Sequence, residues 1–335
     1  LIRRQRQMCI RDSAYVTGPF GGYTANATGE RFIECDYWSG QMMLEFYNEL
    51  HGGRGPVYLK LDHLAEETIS TIETILHTNE RPSRGRFHSG RGTDYRHQMV
   101  EMHISEIGLC SGHSASGVWV DDRGRTTVPG LYSAGDMASV PHNYMLGAFV
   151  CGAYAGESAA DYCAQNELAT PDLDFINLEQ QRVLAPTRRT HGLTPYEVEY
   201  KIRRIVNDYL QPPKVTQKML TGQQRLREIA YDLDSLIARD PHELMRAMEV
   251  HSILDCALMA TAASLFREES RWGLYHYRVD YPDRNDKDWF CHTLLTKKAD
   301  GSIHSTKRPI SPYIVDMPQA DTDAYGQLRI PQAAS

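Results

Sequence analysis

The segment PGLYSAGD, residues 129–136, has the residue types of a ligand turn. A short apolar strand delivers Gly135, where a backbone without Cβ lets a ligand come close. Asp136 follows, and its carboxylate can accept hydrogen bonds from a sugar or ribityl hydroxyl. Next comes a predicted helix over 145–165, MLGAFVCGAYAGESAADYCAQ, crowded with small side chains. Its N-terminus, the positive end of the helix dipole, favours an anion beside the same turn. Gly147, Gly152 and Gly156 lie inside that helix, where each glycine costs up to about 1 kcal/mol against alanine. Close approach to another backbone or a ligand is therefore expected there. Taken alone, plain packing of a glycine turn accounts for the Gly135–Asp136 step equally well.

Other reactive side chains are less organised. Residues 81–97 are rich in Arg, Gly and His, which describes a solvated loop or, alternatively, an anion-binding segment. His88, His97 and His103 belong to no clear pattern. The seven cysteines include no CxxC pair, which argues against a disulfide framework and against a zinc or iron–sulfur site in this chain, with a reducing cytoplasm as the expected compartment. No G-x-G-x-x-G turn occurs. A net charge of −7 makes a nucleic-acid binder a poor expectation. With a mean hydropathy of −0.48 and no run of about 18 apolar residues, direct membrane insertion is not expected either.

The elements that must position these residues are legible in outline. Periodicity predicts helices over 40–50 and 63–80, with a strand at 57–61 between them. GERF, 29–32, reads as a loop entering a helix. VWV at 118–120 reads as a strand, and 121–136 as a turn feeding another. After a polar linker at 166–175, three helices follow: 193–210, one from Val215, and one opening on Asp240-Pro241-His242-Glu243, a strong start signal. Together they describe a small helical bundle. Residues 272–335 show no sustained pattern.

Three blocks carry a family resemblance. Residues 112–165 run from a His-plus-Gly motif through a strand, a turn, VPGLYSAGD and a glycine-rich helix. In that order they resemble the second flavin-binding segment of the fumarate reductase and succinate dehydrogenase flavoprotein superfamily. Residues 248–295 are similar to its C-terminal helical domain, with an E-S-R step, a His/Arg stretch, an Asp-x-Pro-x-Arg turn and a Trp. HGGRGPVYLKLDHL, 51–64, looks like its R-G-P-x-x-x-x-L-D-H-L segment. The resemblance implies an α/β plus α fold: part of an FAD-binding Rossmann-like domain, a remnant of the substrate (capping) domain, and a C-terminal helical bundle. The expected boundaries are 14–105 for the capping part, 106–166 for the second FAD segment, 176–290 for the helical domain and 291–335 for a tail. Residues 1–13 contain RQMCIRDS, which resembles a translated sequencing adaptor, so the chain is expected to be N-terminally truncated.

Departures from the pattern point to a branch. The superfamily's N-R-L-G-G arginine is missing from Pro141–Gly147, and its C-R-G-E-G-G arginine is missing from Gly18–Tyr23. A C4 diacid needs such cationic clamps. RWGLYHYR, 271–278, and the 112–120 segment look more like the α subunit of adenylylsulfate reductase. The resemblance implies FAD as cofactor, with Gly112, Ser114, Gly135, Asp136, His142, Leu146 and Gly147 around it. It places His113 as the catalytic His, able to bind substrate and move protons near neutral pH. Arg271, His276 and Arg278 would form the facing wall, or plain salt bridges. Trp119 and Trp272 have rings that can stack on a flavin or an adenine, although core packing is the simpler place for Trp119. The implied partner is a ferredoxin-like iron–sulfur subunit, and the implied activity is electron transfer between it and a small substrate. Alternatives are a succinate- or fumarate-type enzyme for another small organic acid and a non-catalytic electron-transfer subunit.

Overall fold

The structure, a computed structural model, describes residues 17–33, 39–80, 90–102, 104, 116–140, 144–167 and 170–310. Its first layer is a three-stranded antiparallel sheet of β1 (Tyr23–Ala25), β2 (Val57–Lys60) and β3 (Val100–Met102), with β2 in the centre. Tyr23 pairs with Lys60 and Val57 with Met102. The alternation in VYLK buries Val57 and Leu59 on one face, as period-2 patterning requires. Helix α1 (Ser39–His51) contributes Met42, Met43, Leu44 and Phe46 to that face. Helix α2 (Glu66–Thr74), extended by a π turn over Ile75–Glu80, contributes Ile69, Ile72 and Leu76 at helical spacing. This core also takes Leu274, Tyr275 and Tyr277 from far down the chain.

Helix α3 (Tyr144–Gln165) carries the small residues. Helix α4 (Leu173–Leu184) starts inside the expected linker, because the Asp172 side chain caps it by accepting from the Phe175 N–H at 3.0 Å. The second core is helical. It joins α5 (Pro195–Ile205, with a π turn to Leu210), α6 (Thr216–Leu233) and α7 (Pro241–Phe266) around Val198, Ile202, Leu226, Val250 and Leu254. The start signal at Asp240 is real, since its carboxylate accepts from the Glu243 N–H at 2.8 Å. Helix α7 is long and apolar enough to cross a bilayer, and its Ala247, Val250, Leu254 and Ala257 pack into that core.

Three sequence expectations change. No helix starts at GERF: Arg31 bridges to Ala25, and α1 begins at Ser39. VWV and PGLYSAGD are not sheet strands among the described residues, because only Val118 and Tyr132 find bridging partners there. The patternless tail instead contains a short helix α8 (Asp286–Trp289) and an antiparallel hairpin, β4 (Cys291–Lys297) with β5 (Ile303–Pro309). The Asp300-Gly301 step between them is the hairpin signal, and Gly301 takes the left-handed φ of 81° that such a turn needs. Strand pairing in both sheets is antiparallel, and parallel contact among the described residues is confined to single bridges.

Candidate functional site

The Gly117–Ser139 segment is built by backbone approaching backbone. The Val118 N–H donates to the Met137 carbonyl at 2.7 Å, and the Ser139 N–H donates to the Val118 carbonyl at 2.8 Å. A Cβ on Gly117 would lie 2.4 Å from the Met137 carbonyl oxygen, so only glycine permits this crossing. The Asp121 carboxylate closes the next turn by accepting from the Arg123 and Arg125 N–H groups, each at 2.9 Å, and from Arg125 Nε at 2.7 Å. Gly135 has φ +64° and lies against Ala148 of α3, where an added Cβ would come within 3.4 Å. It opens a single 3-10 turn, Gly135–Met137, that presents Asp136. Tyr132 Oη donates to the Ser158 carbonyl at 3.1 Å and ties the segment to α3 farther along. Ser133 Oγ is buried with no hydrogen-bond partner.

Helix α3 therefore uses only part of its small-residue surface here. Ala148 and Ala155 receive Gly135 and Gly124, whereas a Cβ on Gly152 or Gly156 would meet nothing within 4 Å. The large apolar side chains around them are open as well: Phe149 is 69% exposed, Tyr154 50% and Met137 70%. Gly135, Asp136 and Gly147, the fourth residue of α3, have the chemistry to suit one end of an extended, partly anionic cofactor. Gly112, His113, Ser114 and His142 lie outside the described residues, as does the side chain of Leu146.

Arg271, His276 and Arg278 come together, and their hydrogen bonds are made within the chain. Arg278 is 1% exposed. Its Nε and Nη2 donate to Asp280, Nη2 also to Thr216 Oγ1, and Nη1 to the carbonyls of Ser264 and Arg267, all at 2.7–3.0 Å. Buried Glu269, which sequence reading did not single out, accepts from Arg267, from Arg271 and from the Asn285 N–H. Arg271 also reaches Asp286 at 2.5 Å. The E-S-R step and the Asp-x-Pro-x-Arg turn are thus two halves of one ionic junction linking α6, α7 and α8. Trp272, at φ 67°, turns the chain so that Leu274 and Tyr275 enter the first core.

His276 sits at this junction. Burial, reinforced by the neighbouring cations Lys214, Arg267 and Arg278, holds its imidazole well below the ordinary value, although the Arg267 carbonyl at 3.3 Å works the other way. The folded state thus keeps a neutral ring, while the unfolded chain takes up a proton below about pH 6.5. The unfolded state binds more protons in that window, so this contribution to stability is complete above about 6.5 and is lost as pH falls below it. In urea melts from pH 7.5 to 5.5, His276→Asn is expected to lose stability more slowly than wild type. Parallel pH profiles would show that His276 does not titrate in this way.

Among the described residues, the turn segment touches the C-terminal hairpin at Trp119. Arg308 of β5 lies over the Trp119 ring, 4.4 Å from its centroid, so Trp119 stacks on a cation from the C-terminal hairpin. An open groove of about 510 Å³ between α4 and α7, lined by Val183, Leu244, Met245 and Met248, contains none of the expected site residues.

Comparison with known proteins covers both regions. Residues 5–154 match the family model of the FAD binding domain, and residues 199–323 match that of the fumarate reductase flavoprotein C-terminus. The fumarate reductase flavoprotein subunit of Mycobacterium tuberculosis is 27% identical over 87% of this chain and 55% of its own length. The chain therefore spans about half the length of the curated relatives it matches. Among solved structures, adenylylsulfate reductase of Archaeoglobus fulgidus superposes with a TM-score of 0.74 at 22% identity, covering 89% of this chain and 56% of its own. Quinol fumarate reductase of E. coli gives 0.75 at 20%, covering 93% and 58%. FAD is the cofactor these matches indicate. With one model on the turn segment and the other on the ionic junction, the chain belongs to the fumarate reductase and succinate dehydrogenase flavoprotein superfamily.

Proposed function

We propose that the chain is part of the flavoprotein subunit of an FAD-dependent oxidoreductase that passes electrons between a small substrate and an iron–sulfur partner. FAD supplies the hydride and single-electron chemistry, and the protein supplies binding, orientation and charge. Asp136 would hold a cofactor hydroxyl, the α3 N-terminus would face its anionic part, and His113 would bind substrate and move a proton. Arg271, His276 and Arg278 act as the scaffold behind that wall, since their donors are already engaged with protein groups.

The substrate class rests on one observation. Neither 18–23 nor 141–147 contains an arginine, so the two-cation clamp suited to a C4 diacid is missing from both segments. That favours a sulfur-oxyanion substrate of the adenylylsulfate kind over succinate or fumarate. The second reading, another small organic acid, draws on the 27% identity to a fumarate reductase flavoprotein subunit.

The test uses a polypeptide of the relatives' length, purified with its flavin. Sulfite with AMP is expected to bleach the flavin band, and succinate is expected to leave it oxidised. His113→Ala should slow the bleaching by roughly 10²–10⁴-fold, the range for removal of a general acid–base. Bleaching by succinate alone would favour the second reading, and an unchanged rate in His113→Ala would remove that residue from the mechanism. The 335-residue chain by itself is expected to purify without stoichiometric FAD.

A further inference from the structure

Among the described residues, Trp272 is the one non-glycine with a positive φ, at φ 67° and ψ 37°. For a bulky side chain that conformation is a genuine outlier, whereas glycine or asparagine adopts it readily. The turn around it is over-determined. The Arg271 N–H donates to the His276 carbonyl at 3.0 Å, and the Tyr275 N–H donates to the Trp272 carbonyl at 3.3 Å. Gly273 lies against the backbone of Gly40. The backbone thus demands a left-handed residue at 272, but nothing in the turn demands an indole. From Glu269 to Arg278, Trp272 is the only exposed residue, at 48%. Gly273, Leu274 and Tyr275 after it are buried, and the Arg271 guanidinium before it is engaged by Glu269 and Asp286.

We propose that Trp272 is a specificity-determining residue whose indole stacks on the base of a nucleotide substrate. The inference rests on the adenylylsulfate-type substrate class proposed above and names the residue that would tell it from a small organic acid. Three features carry it. Strained side chains persist where the surroundings hold them, and they cluster at ligand sites. The left-handed backbone fixes the direction of Cβ, so the ring is aimed by the chain itself before a ligand arrives. Trp272 also stands at a seam: Gly273 touches the α1 start of the first core, and Arg271 ties through Asp286 to α8. Seams between packed units are where small-molecule sites form preferentially. A purine offers the indole a flat partner of matching size, whereas succinate and fumarate have no ring to stack.

The test compares calorimetric affinities for AMP and for ribose 5-phosphate, which lacks the base, on the flavin-loaded protein of the relatives' length. Trp272→Leu and Trp272→Asn both remove the ring. Leucine keeps the backbone strain and asparagine relieves it, so a change that both share belongs to the ring. Wild type should prefer AMP over ribose 5-phosphate by about tenfold or more. Both ring-free variants should lose most of that preference by weakening AMP alone, and Trp272→Phe should recover part of it. Tyr231→Leu, which removes an exposed ring on α6, should match wild type. Urea midpoints are followed in parallel, because an indole that only supports the fold would lower the midpoint and weaken both ligands alike. Equal weakening of the two ligands, or an unchanged preference for AMP without the ring, would overturn the proposal; the substrate class would survive if sulfite with AMP still bleached the flavin. A wild-type protein that shows no preference for AMP and no bleaching with sulfite and AMP would overturn both.

Discussion

Gly273→Ala is expected to destabilise the protein by about 3–5 kcal/mol, the upper range for a single substitution. Gly273 has φ +60°, and an added Cβ would lie 2.3 Å from both the carbonyl carbon and oxygen of Gly40 and 2.8 Å from the Gln41 nitrogen. All three contacts are backbone atoms of the α1 start, so no side chain can rotate away. The left-handed conformation adds roughly 1–2 kcal/mol of its own for a residue with a Cβ. Relief requires Leu274 and Tyr275 to withdraw from the first core, where Leu274 is fully buried. Gly301→Ala is the matched comparison, because that glycine has φ +81° but open space around it. It should cost only about 1 kcal/mol. Urea midpoints followed by tryptophan fluorescence separate the two; equal shifts would mean that backbone crowding at Gly40 contributes nothing.

Arg278→Ala should cost a comparable amount, about 3–5 kcal/mol, because it removes a buried guanidinium and the five hydrogen bonds it donates. Removing the guanidinium strips Asp280 of a bidentate partner and the Ser264 carbonyl of a donor, and leaves the Arg267 carbonyl with His276 alone. Arg278→Lys keeps the charge and loses the fork, since an ammonium cannot serve Asp280, Thr216 and two carbonyls from one position. The lysine variant should therefore recover only part of the stability. These variants also distinguish a tie from a ligand group. If Arg278 holds the fold, the urea midpoint falls in both variants and KM in the surviving folded fraction is unchanged. A wild-type midpoint with a raised KM would return Arg278 to the substrate wall.

The first core and the helical bundle could be read from local pattern, because their elements follow 2- and 3.6-residue periods over several turns. Ile69, Ile72 and Leu76 mark a buried stripe before any neighbour is known, and Asp240 caps α7 through contacts three residues away. The hairpin was missed although Asp300-Gly301 signalled it, because the flanking strands alternate Thr, Ser and Lys with few large apolar residues. The sequence leaves the role of Arg271–Arg278 open between a substrate wall and plain salt bridges. Arginine, histidine and glutamate in one stretch suit a substrate wall and an ionic junction alike.

What the sequence determined by itself is the order of motifs: a glycine turn ending in Asp136, a small-residue helix, capped helices, and an E-S-R step with its distant Asp-x-Pro-x-Arg turn. Each is a local matter of backbone freedom, capping and side-chain type. The tertiary structure decided which donors and acceptors meet. It placed Arg278 among Thr216, Ser264 and Asp280, up to 62 residues apart, brought Gly273 onto Gly40, and set Arg308 over Trp119. The physical reason is that a charged side chain's role depends on the groups that share its buried space, and those groups come from helices and loops that only packing brings together.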